Sequence, residues 1–81
     1  MSLQRDAPLP LSQQLAALLR AEIKSGKRKP GSRLPSIGSL AAEHDIATAT
    51  VVKALDILKR EGLVVGYTGH GTFVAEREAS N

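Results

Sequence analysis

The chain has 81 residues, 42% of them hydrophobic and 23% charged, with no cysteine and a net charge of +3. That composition makes one small domain with a modest core rather than a disordered segment, and it excludes disulfides and thiolate metal sites. No apolar run nears the ~20 residues of a bilayer span, the N-terminus MSLQRDAPLP carries no signal-like stretch, and two aromatics, Tyr67 and Phe73, are too few for a base-stacking platform; the expected location is cytoplasmic, with no membrane partner.

Residues 1–8 are polar and end at Pro8, with Pro10 close behind; they are expected to be a disordered lead-in. Leu11, Leu15, Leu18, Leu19 and Ile23 then recur at helical spacing. This predicts a first helix from Leu11 to Ser25 with one apolar stripe, ended by Gly26. Around that stop the charge becomes lopsided. Residues 1–40 carry a net +5 and residues 41–81 a net −2, and Lys24, Lys27, Arg28, Lys29 and Arg33 stand together with no acid among them. The cluster suits a polyanion such as a nucleic-acid backbone. A solvated face, or cations answering the dipole of the helix C-terminus, accounts for it equally well.

Lys29-Pro30-Gly31-Ser32 is a turn signal, Arg33-Leu34 is at most a strand fragment, and Ser36 is a good helix N-cap. A short second helix is expected over Ile37–His44, with Ile37, Leu40 and Ala41 inward and His44 a surface residue at its end. Gly38 weakens it by about 1 kcal/mol relative to Ala. Asp45-Ile46-Ala47 reads as a tight turn into a third helix, Thr48–Glu61. Its buried stripe is Val51, Ala54, Leu55 and Leu58, and its other face offers Thr48, Ala49, Val52, Lys53, Asp56 and Lys59. After Gly62 the period changes. Residues 63–67 and 72–75 read as short strands joined by the glycine-rich turn Thr68-Gly69-His70-Gly71, a hairpin. Residues 77–81 are expected to be a frayed tail.

Three helices followed by a hairpin is the order of a winged helix-turn-helix, a mainly α fold with a small β-hairpin, here spanning residues 9–76. The short turn before the third helix sets it steeply against the second, so that it can project into a B-form major groove. The slim hairpin tip lets backbone approach the adjacent minor groove.

The stretch LPLSQQLAALLRAEIKSGKRKPGSRLPS (Leu9–Ser36) resembles the start of the GntR-family DNA-binding domain, with its Ile-x-Ser-Gly, Pro-Gly and Leu-Pro-Ser marks. SLAAEHDIATATVVKALDILKREGLV (Ser39–Val64) is similar to the part that follows, and GHGTFV (Gly69–Val74) to the wing. Together these motifs cover roughly residues 9–75. The resemblance implies a bacterial transcription regulator, usually a repressor, that binds palindromic operators in double-stranded DNA as a homodimer. Most members carry a larger C-terminal domain for an effector or for dimerisation; the effector here is unknown.

The resemblance also implies which residues meet DNA. Ser36 and the amides opening the second helix suit a phosphate at a helix N-terminus. Thr48 and Thr50 carry hydroxyls at family-matched positions, though a threonine there also serves as a cap, or is partly buried at Thr50. Ala49 and Val52 are short apolar side chains suited to a thymine methyl, and Lys53 is the only cation on the forward part of the third helix. Arg33 reaches backbone phosphate or is simply solvated. His70 sits at the wing tip as a contact or as an exposed turn residue. Gly69 and Gly71 are first of all turn formers, with amide contacts as an added role. Tyr67 supports the wing or meets phosphate. Against the family pattern, Gly38, Thr48 and Val52 stand where arginines are usual, and Ala47 replaces a common serine. The missing arginines remove charge-assisted or bidentate contacts, each of the latter worth about 1–3 kcal/mol of base discrimination.

Other function classes fare worse. A winged helix acting as a protein-interaction module, with weak or no specific DNA binding, is favoured by Ala49, Val52 and the missing arginines, but not by the basic cluster or the wing tip. With two histidines, no cysteine and no phosphate-binding glycine loop, the chain lacks a catalytic constellation, so no enzyme, metal site or cofactor is expected. A membrane-surface helix would rest on the first helix alone, whose stripe the core explains better.

Overall fold

The computed structural model describes residues 3–76. It contains α1 (Leu11–Lys24), α2 (Ile37–His44), α3 (Thr48–Arg60), β1 (Val64–Tyr67) and β2 (Gly71–Val74). Each helix begins where its sequence signal places it and ends within one residue of it. The stripe of α1 resolves into Leu15, Ala16 and Leu19, which are buried, and Leu18 and Ile23, which are partly so. On α3 the spacing of Val51, Ala54, Leu55 and Leu58 buries all four. α3 lies at the centre, packed against α1, α2 and β1, and Leu34, Val64 and Val74 close the core beside it. The predicted frayed tail, 77–81, lies outside the described residues.

The strands pair antiparallel with Val64 opposite Val74, Val65 opposite Phe73, Gly66 opposite Thr72 and Tyr67 opposite Gly71. Because side chains alternate across a strand, Val64 and Val74 point into the core while Val65 is exposed. The fragment at Arg33-Leu34 extends this sheet. The Gly31 amide donates to the Val74 carbonyl at 2.9 Å, the Val74 amide to Ser32 at 2.8 Å and the Leu34 amide to Thr72 at 2.8 Å, with Arg33 opposite Phe73. This pairing threads the link between α1 and α2 along the hairpin and buries Leu34.

Two expectations are corrected. Ile37 is not inward but 38% exposed, and His44 is not a surface residue, since its side chain is only 11% exposed. The reason is common to both. The inward stripe of α2 is seated on α3 through Leu40 and Ala41, so its start overhangs the core while His44, one turn beyond Leu40, falls under cover.

Residues 3–10 lead into α1. The Gln14 side chain donates to the Gln4 carbonyl at 2.8 Å and the Leu9 carbonyl at 2.7 Å, and accepts from the Gln4 amide at 2.7 Å. Leu3 packs against the edge of the core.

α1 and α3 are also tied across their surface. Arg20 donates from Nε and Nη2 to the two carboxylate oxygens of Glu61 at 2.8 and 2.6 Å. The Arg20 hydrogen bonds hold the Glu61 carboxyl below its ordinary range. Because the folded-state value lies below the unfolded one, the tie adds stability at neutral pH and loses it as pH falls through the depressed value. With the two side chains 30% and 38% exposed, the effect is small. Melting temperatures of the wild type and Glu61→Gln, followed from pH 7 down into the acid range, are expected to converge as the carboxylate protonates. A gap that widens on acidification would contradict this role for the pair.

Candidate nucleic-acid interface

The junction of α2 and α3 begins with a backbone device. Asp45 adopts the left-handed conformation at φ 55° and ψ 52°, one that an aspartate tolerates better than most side chains. The Asp45 amide donates to the Ala42 carbonyl at 3.3 Å and the Ile46 amide to the Ala41 carbonyl at 3.0 Å. These two bonds are the Schellman pattern that closes a helix and redirects the chain. Ile46 packs on the core as its apolar anchor. Only Ala47 then separates this turn from α3.

The turn leaves one side of α3 in solvent. Thr48, Ala49, Val52, Lys53 and Asp56 are exposed, Val52 by 41%, while Thr50 is half-buried. Ala47 caps α3 with its carbonyl alone, and no side chain bonds the free amides. Thr48 therefore does not act as the cap, and its hydroxyl and amide both stand at an open helix N-terminus. At α2 the situation is reversed. Ser36 Oγ accepts from the Ser39 amide at 3.0 Å, so its side chain is engaged in capping, and the amides of Ile37 and Gly38 remain for an anion.

The second part of the surface is the wing. Its tip is the turn Tyr67-Thr68-Gly69-His70, closed by the His70 amide donating to the Tyr67 carbonyl at 2.9 Å. Gly69 has φ +80° and Gly71 φ +104°, conformations that a side chain would strain. His70 is exposed at the tip. Gly71 has a further reason to lack a side chain: a methyl group there would come within 2.9 Å of Arg33 Nε. Arg33 thus lies across the wing at Gly71, although it precedes α2 in sequence. Tyr67 meets Phe73 edge-on at 5.6 Å and stays 56% exposed, so it supports the hairpin and also offers its ring to solvent.

The candidate residues accordingly fall into two groups. Ser36, Thr48, Ala49, Thr50, Val52 and Lys53 belong to the helix-turn-helix, and Arg33, Gly69, His70 and Gly71 to the wing. One residue outside that set joins them: Lys59, in the last turns of α3, lies against Gly66 in the middle of β1. A glycine inside a strand marks close approach of another group, so Gly66 signals an approach in the sequence without saying which residue makes it.

The basic cluster contributes less than its density suggests. Arg28 Nε donates to Glu22 Oε1 at 2.6 Å and Lys27 Nζ lies 3.8 Å from Glu22 Oε2, so two of its five cations answer one acid. The pairing of Gly31 with Val74 also sets Lys27–Lys29 beyond the base of the wing, away from its tip. Among the described residues, no group of three His, Cys, Asp or Glu side chains is placed to hold a metal ion, and no helix is long and apolar enough to cross a membrane.

Comparison with known proteins agrees with this arrangement. The family model for bacterial regulatory proteins of the gntR family matches residues 11–74. The transcriptional repressor NagR of Bacillus subtilis is 36% identical over 76 residues, which is 94% of this chain but 31% of NagR; the chain thus spans about a third of that relative's length. The solved structure of YtrA from Sulfolobus acidocaldarius, a GntR-family transcription factor, superimposes with a TM-score of 0.87 at 30% identity, covering 94% of this chain and 80% of that one. The DNA-binding domain of AraR, solved in complex with operator ORX1, superimposes with a TM-score of 0.82 at 28% identity, covering 93% and 99% of the two chains.

Proposed function

The chain belongs to the GntR family of bacterial regulatory proteins, and on that premise we propose that it is the sequence-specific, double-stranded-DNA-binding part of a transcriptional repressor. The observation that carries this reading is the open N-terminus and solvent-exposed face of α3, held by the Asp45 turn and flanked by a glycine-built wing. α3 enters the major groove with Thr48, Ala49, Thr50 and Val52 toward base edges, and Lys53 answers phosphate. The amides that open α2 meet the backbone, and Gly69, His70 and Gly71 approach the minor groove with Arg33 beside them. The reading is supported by a relative that is a transcriptional repressor and by a similar domain solved on its operator.

With Gly38, Thr48 and Val52 in place of arginines, one copy holds few charge-assisted contacts. Tight binding then calls for two copies on a palindromic site, in the cytoplasm, where the DNA is. Selection of bound duplexes from a random pool at two salt concentrations tests this directly. Enriched palindromes and affinity that falls steeply with salt are expected. Within the selected site, Thr48→Ala is expected to change base preference more than total affinity. Recovery of no preferred sequence would end the claim of specificity. The exposed apolar pair Ala49 and Val52 supports a second reading, a protein-docking face, which predicts a stable partner complex indifferent to salt and DNA.

A further inference from the structure

α3 packs on β1, and at the seam a cation rests on bare backbone. A methyl group on Gly66 would stand 3.2 Å from Lys59 Nζ and 3.3 Å from its Cε, so the bare backbone leaves the ammonium room close over the strand. Lys59 is exposed and takes no part in the ion pairs found among the described residues. The nearest acid along its own helix, Asp56, is one turn back and exposed. Lys59, Gly66, Thr68 and Thr72 line one hollow between α3 and the wing, and no acidic residue lines it. Thr72 is the cross-strand partner of Gly66, so its side chain shares the face on which the ammonium lies.

A lysine is a point charge with three donors, and a hydroxyl donates one more. A cation and two hydroxyls around a glycine-floored hollow free of acids suit a phosphate. We infer that Lys59, with Thr68 and Thr72, seats one phosphate of the sugar–phosphate strand that runs between the major and the minor groove. If α3 occupies one groove and the wing tip the next, that strand has to cross between them, over this seam. The inference rests on the DNA-binding reading and adds a contact beyond the helix residues already placed against DNA. Its role is sequence-independent: it fixes the register of the helix and the wing relative to one backbone.

The test is fluorescence anisotropy of the whole chain against a labelled mixed-sequence duplex, titrated between about 50 and 200 mM salt. Lys59→Gln is expected to reduce the slope of log K against log salt by about 0.9, the share of one phosphate contact, with an unchanged melting temperature. Lys27→Gln, which removes the same charge from the Glu22 pair, is expected to leave the slope alone. Wild-type binding with no change in Lys59→Gln would overturn the seat and leave the DNA-binding reading standing. Equal losses in Lys59→Gln and Lys27→Gln would also overturn it, because net charge alone would then explain both. Absence of any wild-type binding would overturn the seat and the DNA-binding reading together.

Discussion

Truncating Leu58 to Ala is expected to cost about 2–5 kcal/mol, whereas Val52→Ala, on the solvent side of the same helix, stays within about 0.5 kcal/mol of the wild type. Leu58 is fully buried in the core where α3 meets its neighbours, and Val52 is 41% exposed. Removing Leu58 leaves a cavity that close-packed neighbours fill only in part. A chain of this length has a total stability of about 4–12 kcal/mol, at roughly 0.05–0.15 kcal/mol per residue, so the loss takes a large share of it. At about 4–8 °C per kcal/mol for a domain of this size, the Leu58 variant is expected to melt roughly 10 °C or more below the wild type by circular dichroism. Val52→Ala is expected to keep the melting temperature and alter DNA affinity or preference instead. The pair separates two jobs on one helix. Comparable melting losses in both variants would mean that the outward side of α3 is structural, and the case for a recognition helix would fail with it.

Most of the helical framework could be read from the chain because its signals are local. Leucines three and four apart define α1 and α3, and Ser36 announces α2 through a cap that the structure retains in its bond to the Ser39 amide. What could not be read depends on contacts between distant residues. The pairing of Gly31–Leu34 with β2 carries no periodic signal, because three or four residues of strand show none. It is nevertheless what buries Leu34 and brings Arg33 across Gly71. A place at the end of α2 suggests a surface position for His44, yet it lies four residues after Leu40 on the same helix face and is covered with it.

The site was legible to a similar degree. The exposure of Thr48, Ala49, Val52 and Lys53 follows from the burial of Val51, Ala54 and Leu55 between them on the helical wheel. The placement of Lys59 does not. It requires knowing that α3 and β1 meet at a glycine, and that is a tertiary fact. The basic cluster stays ambiguous in the sequence for the complementary reason. Its charges are adjacent in sequence, but Glu22, which answers two of them, lies in α1, five and six residues before Lys27 and Arg28.

Gly38→Arg is expected to raise affinity for any duplex about tenfold or more at low salt. Gly38 is the second residue of α2 and exposed. A side chain grown from it meets nothing nearer than Ser36 Oγ at 4.0 Å, and its φ lies outside the left-handed region, so the substitution introduces neither a clash nor strain. Its first effect is on the fold. Replacing glycine inside a helix gains up to roughly 1 kcal/mol, which is expected to raise the melting temperature by a few degrees. Its second effect is on binding. The α2 amides of Ile37 and Gly38 are free, and a guanidinium beside them would add a charge-assisted hydrogen bond to the same phosphate, worth about 1.5–3 kcal/mol before the cost of ordering the side chain. The salt slope is expected to steepen by about 0.9. Ala21→Arg, on the exposed side of α1, brings the same added charge to a place remote from the interface, and only a small gain is expected there. If both variants tightened binding alike, long-range attraction rather than contact would be responsible, and the start of α2 would not face the DNA backbone.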